Sequence, residues 1–225
     1  MVDIEYLKYE HFVKENFPNS TVPNTRNMKK LYVIIQSNIR FMKLIKDIDK
    51  EQDKVRNELY ETFYLLHLRV LYHLPSNDEF INKILIRTIV ENILRLCASL
   101  LNCNIGSLKE ASFNTLNNNL EGKGFQHRYK DLSNTLNNNF GTFSKDVHGE
   151  NIHKLSEKEF LVSIRKADNI IHLERLLNVY KEINRAIIPF FLKEIRTTKS
   201  DLSGATLSVL LNIVGEDNYE LFYNK

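Results

Sequence analysis

The sequence predicts an all-α fold, and three observations carry that expectation. Apolar residues recur every three or four positions through several long segments, the spacing of a helix with one face in a core. Only seven Gly and four Pro are present, and three of the Pro lie outside the long periodic segments. So few breakers argue against a β fold with many turns. Hydrophobic residues at 43% against 26% charged give the balance of a chain with a real core rather than a disordered one.

The elements follow in order. Residues 3–17 form a short amphipathic helix in an N-terminal arm, residues 1–25, which ends in the loop Pro18 to Asn24. Leu31, Ile35, Met42 and Ile45 keep helical spacing up to the polar run Asp47 to Asp53. Val55, Leu59, Phe63, Leu66 and Val70 resume it before Pro75. The pattern over 26–74 fits one bent helix or two. Ser76-Asn77-Asp78-Glu79 is a helix start, with acid in the first turn. The helix it opens is apolar around half its circumference, from Leu85 and Ile86 to Leu100 and Leu101, which predicts a central position in a bundle.

Gly122, Gly124 and Gly141 interrupt residues 107–150, which read as short helices and loops. Thr115-Leu116-Asn117-Asn118-Asn119 returns as Thr135-Leu136-Asn137-Asn138-Asn139, and the pair reads as Asn-rich helix ends. Glu157 to Arg196 is the longest periodic stretch, with Pro189 expected to bend or break it. The bundle spans 26–200, and 201–225 forms a C-terminal helical tail that docks on the core or on a second subunit.

Cys97 and Cys103 lie in an apolar stretch and are expected to pack as small hydrophobes. No Cys/His cluster has metal-ligand spacing, so no metal and no cofactor is expected. The acidic N-terminus lacks the order of a signal peptide, and no run approaches the ~20 apolar residues of a membrane span. A cytoplasmic chain without membrane partners is the expectation. Net charge is only +3, but the two long helical stretches are basic and both ends acidic, which could turn a positive face toward phosphate.

The segment Arg87 to Arg95 is the most informative. Arg87, Glu91 and Arg95 stand four apart and stack along one side of a helix, at the edge of its apolar arc. Alone, the trio reads as an ion-pair ladder. In Phe143-Ser144-Lys145-Asp146-Val147-His148-Gly149 a His precedes a Gly after a helical segment. A C-capping His or a proton-transferring, phosphate-binding His both fit that pattern.

Together these segments, Arg-x-x-x-Glu-Asn at Arg87, Glu91 and Asn92 and Ser-x-x-Val-His-Gly at Ser144, Val147, His148 and Gly149, resemble the divergent HEPN-like domains of bacterial toxin–antitoxin and abortive-infection systems. The resemblance covers roughly residues 55–200. It implies an HEPN-like helical bundle with a four-helix core, frequent homodimerisation, and metal-independent RNA cleavage in phage defence. It also implies an antitoxin or defence-complex partner. On it, Arg87, Glu91 and His148 become catalytic residues, and Asn92, Arg95 and Ser144 substrate-binding ones. Arg stabilises phosphate charge while His moves protons at the RNA 2′-hydroxyl. The family's usual Arg-to-His spacing is met by Arg165 and His172, a second-choice catalytic pair, although Lys166 departs from the family's polar residue after the Arg.

The competing expectation is a non-catalytic helical module of a defence or mobile-element system that binds nucleic acid or a protein partner. One version reads Leu132 to Lys154 as a helix-turn-helix with Gly141 in the turn.

Overall fold

The computed structural model describes residues 2–20, 25–76, 78–147 and 169–223. Among them all regular structure is helical. The helices are α1 (Val2–Asn16), α2 (Arg26–Ile48), α3 (Lys54–His73), α4 (Glu79–Leu100), α5 (Phe113–Gly122), α6 (Phe125–Arg128), α7 (Lys130–Val147), α8 (Asn169–Glu194), α9 (Gly204–Val214) and α10 (Glu216–Tyr223). No described helix is long and apolar enough to cross a membrane.

Local chemistry sets the helix starts. Thr25, Asp53, Asp78, Ser112 and Ser203 each accept the backbone N–H three residues on with a side-chain oxygen. Each such cap contributes about 1 kcal/mol. Segment 26–74 is two helices, because Asp49 leaves the helix and turns its carboxylate inward. Arg56 Nη1 donates to both carboxylate oxygens, at 3.2 and 3.4 Å, and the Tyr60 hydroxyl donates at 2.9 Å. Arg56 also donates to Ser99, from Nε to the hydroxyl at 2.9 Å and from Nη2 to the carbonyl at 3.1 Å. The α2–α3 connection is thereby tied to the end of α4. There the chain turns at Asn102, whose φ of 51° lies in the left-handed region that Asn tolerates.

Five long helices make a circuit in which each packs on the next: α2, α3, α4, α7, α8 and back to α2. Contacts fix their directions. Arg56 on Ser99 makes α3 and α4 antiparallel. Phe143 lies by Arg175 while Arg128 pairs with Glu194, so α7 and α8 are antiparallel. In contrast, Asn184 donates to Asn38, Phe191 meets Phe41 edge-on and Thr197 donates to the Ile48 carbonyl. These matched pairs make α2 and α8 parallel. α4, one member of this circuit, has α3, α5 and α7 on its flanks, which is why its apolar arc is so wide.

The remaining elements dress the circuit. α1 packs through Tyr6 and Val13, and the Tyr9 hydroxyl donates to the Leu71 carbonyl at 2.7 Å. The tail docks on the core through Leu210, Val214 and Phe222, with Gly215 (φ 77°) allowing the left-handed turn between α9 and α10. Cys97 is buried and Cys103 half-buried, both as free thiols.

Two expectations are corrected and a third is narrowed. The Asn-rich pentapeptides lie inside α5 and α7 and face each other, Asn117 donating to its counterpart Asn137 at 2.9 Å. In both copies the last Asn donates to the carbonyl of the first Thr at 2.8 Å, and Leu116 and Leu136 are fully buried. They are a packed pair of helix faces rather than helix ends. α7 runs unbroken through Gly141, so no turn of a helix-turn-helix forms there. Of the two outcomes expected at Pro189, a bend or a break, the break does not occur, since α8 continues through it to Glu194. The part of the periodic stretch before Asn169 lies outside the described residues.

One buried imidazole gives the fold a pH dependence. His67 is fully buried between Phe63 and Tyr180, with Nδ1 2.8 Å from the Phe63 carbonyl. A carbonyl only accepts, so Nδ1 carries the proton and Nε2 is a bare acceptor. Burial lowers the His67 pKa to about 4, partly offset by that hydrogen bond. The unfolded chain binds a proton near pH 6.5 that the folded chain refuses until about pH 4. Stability is therefore complete above pH 6.5 and falls by roughly 3 kcal/mol as pH drops through that window.

Urea unfolding of His67→Gln should show this directly, with the stability gap to wild type shrinking or reversing between pH 7 and 4.5. A gap independent of pH would mean that the imidazole protonates in place. Arg56→Ala should cost about 3–5 kcal/mol in the same assay at pH 7, because it strands the Asp49 carboxylate, only 1% exposed, in the interior.

Candidate functional site

The sequence trio Arg87, Glu91 and Arg95 is part of a longer stripe. Glu79, Lys83, Arg87, Glu91 and Arg95 stand four apart along one side of α4, so each lies one turn above the last. Lys83 Nζ is 2.8 Å from Glu79 Oε1. Glu91 takes Arg87 Nε on one oxygen at 3.5 Å and Arg95 Nη2 on the other at 3.4 Å. The side chains are partly covered because α7 lies along the stripe. The Arg87 guanidinium sits over the Phe140 ring, 4.9 Å from its centroid, and Phe140 stacks on Phe113 at 3.5 Å.

At one end the stripe is structural. Arg95 donates to the Leu108 carbonyl at 3.1 Å and the Ala111 carbonyl at 3.2 Å, fastening the loop between α4 and α5. Its guanidinium is thus committed to the fold rather than extended toward a substrate. Asn92 is also withdrawn: it is 1% exposed, faces the core, and neither amide atom has a hydrogen-bond partner among the described residues. Its predicted role as a substrate contact does not match that burial.

At the other end three helix termini meet. α7 runs antiparallel to α4, so Ser144, one turn past Phe140, lies on the Glu79 side of Arg87. Its hydroxyl is buried and has no partner among the described residues. α8 contributes His172 and Arg175. His172 is buried, with Nδ1 3.8 Å from Glu79 Oε1 and Nε2 3.4 Å from the Asn82 amide nitrogen. An amide N–H donating to Nε2 leaves the imidazole proton on Nδ1, facing the carboxylate. Arg175 reaches the same Glu79 oxygen at 4.0 Å and lies over Phe143, 5.2 Å from the ring centroid.

Electrostatics fix the charge states here. Burial lowers the His172 pKa below its ordinary value, Lys83 and Arg175 push the same way, and Glu79 and Asp78 oppose them. The ring is therefore neutral at pH 7. Burial by itself would raise the Glu79 carboxyl. The hydrogen bond and charge of Lys83, with His172 and Arg175, outweigh it and hold that group below its ordinary value. One carboxylate thus faces two cations, with Arg87 a turn from Lys83.

The structure therefore gathers Arg87, Glu91, Ser144 and His172 along one seam but spreads them over its length. Glu79 and Arg87 are eight residues apart on α4, about 12 Å along the axis. His148 and Arg165 lie outside the described residues. Val147, the residue before His148, closes α7 at the Glu79 end.

Sequence reasoning misses Glu79, Asn82, Lys83 and Arg175. The fourfold spacing from Glu79 to Arg95 is a visible signal, but Glu79 is equally well explained as a first-turn acid. Arg175 has no local signal, because its partners come from α4 and α7. Among the described residues no group of three His, Cys, Asp or Glu side chains is arranged to hold a metal ion.

Compared with family models, curated proteins and solved structures, the chain matches none.

Arg95→Ala should cost about 1–3 kcal/mol in thermal or urea unfolding, because two loop carbonyls lose their donor. A fully stable variant would mean that Arg95 is free for a ligand after all.

Proposed function

We propose that this protein is a metal-independent RNA-cleaving effector of the HEPN-like kind, working at the open end of the α4–α7 seam. The observation that supports this reading is the meeting of Glu79, Lys83 and Arg175 where α4 and α8 begin and α7 ends, with Arg87 one turn further along. Two cations on the one Glu79 carboxylate, with the Arg87–Glu91 pair a turn from Lys83, favour a phosphodiester. Partial burial strengthens each contact over its value in water.

The chemistry needs a base, an acid and charge stabilisation. His148, next in the chain after Val147, takes the proton of a ribose 2′-hydroxyl. The 2′-oxygen attacks the adjacent phosphorus as the P–O5′ bond breaks, and the 5′-oxygen leaves as an alcohol, taking its proton from solvent water as the acid. The products are a 2′,3′-cyclic phosphate and a 5′-hydroxyl. Arg87, held by Glu91, and Lys83 stabilise the charge on the phosphoryl oxygens. Buried His172 has its nitrogens turned to Glu79 and Asn82, and serves as a positioning residue rather than a proton carrier.

The burial of His172 and the engagement of Arg95 favour a second reading, a non-catalytic helical module that holds nucleic acid or a partner protein.

The test is cleavage of a labelled RNA by wild type, Arg87→Ala and His148→Ala, each first shown to be folded by circular dichroism. Both variants should lose about 10²-fold or more in rate, and wild-type cleavage should persist in EDTA. Wild-type cleavage that depends on an added divalent ion would overturn the mechanism. Cleavage unaffected by either substitution would remove the site, and no cleavage by folded wild type would favour the second reading.

A further inference from the structure

A different face of the bundle carries an unexplained concentration of positive charge. Where α2 and α8 run parallel, a groove of about 640 Å³ opens between the first turns of α2 and the middle of α8. That size is within the ~300–1,000 Å³ of ligand sites. Arg26, Lys29, Lys30 and Lys181 line it, over an apolar floor that includes Ile34 and Leu177. None of the lining residues is acidic. All four cations are exposed, and among the described residues Arg26, Lys30 and Lys181 pair with no carboxylate. Lys29 lies 6.0 Å from the Tyr6 ring centroid.

The arrangement runs against what helix stability alone would favour. The first turns of α2 contain no acid and three cations, at the end where the helix dipole is already positive. Each such cation is unfavourable there unless an anion answers it. Because α8 is parallel to α2, its positive end lies at the same end of the bundle, which adds to the field. A bound anion would relieve all of these terms.

We infer that this groove binds the backbone of single-stranded RNA, its cations taking successive phosphates and its apolar floor receiving an unstacked base. A duplex keeps its bases stacked inside and has no use for that floor. A membrane surface would call for protruding apolar anchors, whereas Val33, the most exposed apolar residue of the groove, is 37% exposed and Leu177 is buried. The choice of RNA rests on the reading in the preceding subsection. The groove itself lies across α8 from the seam, since Leu177 and Lys181 occupy the side of that helix away from His172 and Arg175.

The experiment is fluorescence anisotropy with a labelled single-stranded RNA of about 12 nucleotides. It compares the full chain with a Lys30→Glu/Lys181→Glu double variant, both in a His148→Ala background so that binding is read without turnover. The double variant should bind at least tenfold more weakly. The slope of log K against log salt should flatten by about 1.4, from two lost phosphate contacts. The same RNA as a duplex, and vesicles of phosphatidylserine and phosphatidylcholine, serve as competitors and should displace it poorly.

Equal affinity of the two proteins, or preference for duplex or for vesicles, would overturn the inference, as would absence of RNA binding by the folded chain. RNA cleavage by the wild type with no change in Kd on charge reversal would leave the seam standing and remove the groove. Loss of binding on charge reversal, with no cleavage detected, would do the opposite.

Discussion

Antiparallel neighbours alone can close only an even-numbered ring, and this bundle closes through five long helices. One contact in the circuit must therefore be parallel, and it is the contact between α2 and α8. Much of what distinguishes the molecule follows from that. Parallel helices point the same termini the same way, so two positive ends share one end of the bundle and their side chains meet in matched order, Asn38 with Asn184 and Phe41 with Phe191. The basic groove lies in the first part of this pairing.

The other four contacts are antiparallel, and they bring the start of α4, the end of α7 and the start of α8 to a single place. A charged stripe on α4 then has two different fates along its length. Where the loop between α4 and α5 covers it, Arg95 is engaged by two loop carbonyls and by Glu91. Where three helix termini meet, the same fourfold spacing places Lys83 and, from α8, Arg175 against the Glu79 carboxylate. Buried polar groups mark the joints throughout: Asp49 and Arg56 where α2 turns into α3, His67 between α3 and α8, His172 between α8 and α4. Each of these charges or rings is held by partners from a second helix, so the polar interior registers the helices against one another.

Much of the fold is legible in the amino-acid sequence. The capping residues, the wide apolar arc of α4 and the scarcity of breakers are local features, and local features determine where helices begin and which face they bury. Expectation and structure part where one signal admits two contexts. Gly141 and Pro189 are breakers by propensity, yet both sit inside helices whose burial against neighbours outweighs their cost. The repeated Asn pentapeptide resembles terminal residues because Asn favours caps, but inside the helices Asn117 pairs with Asn137 across α5 and α7, while Asn119 and Asn139 each donate to the Thr carbonyl one turn back.

The sequence by itself determined the all-α class, the caps, the division into apolar and charged faces, and the Arg87–Glu91–Arg95 ladder, because all of these depend on residues within a turn or two of each other. The tertiary structure alone decided that Arg95 is occupied, that Asn92 is buried, that Arg175 and His172 reach Glu79 across some ninety positions of chain, and that Arg26, Lys29, Lys30 and Lys181 share a groove. The physical reason is that a side chain's charge and chemistry are set by its own atoms, whereas its partners and its access to water are set by which helix packs against it.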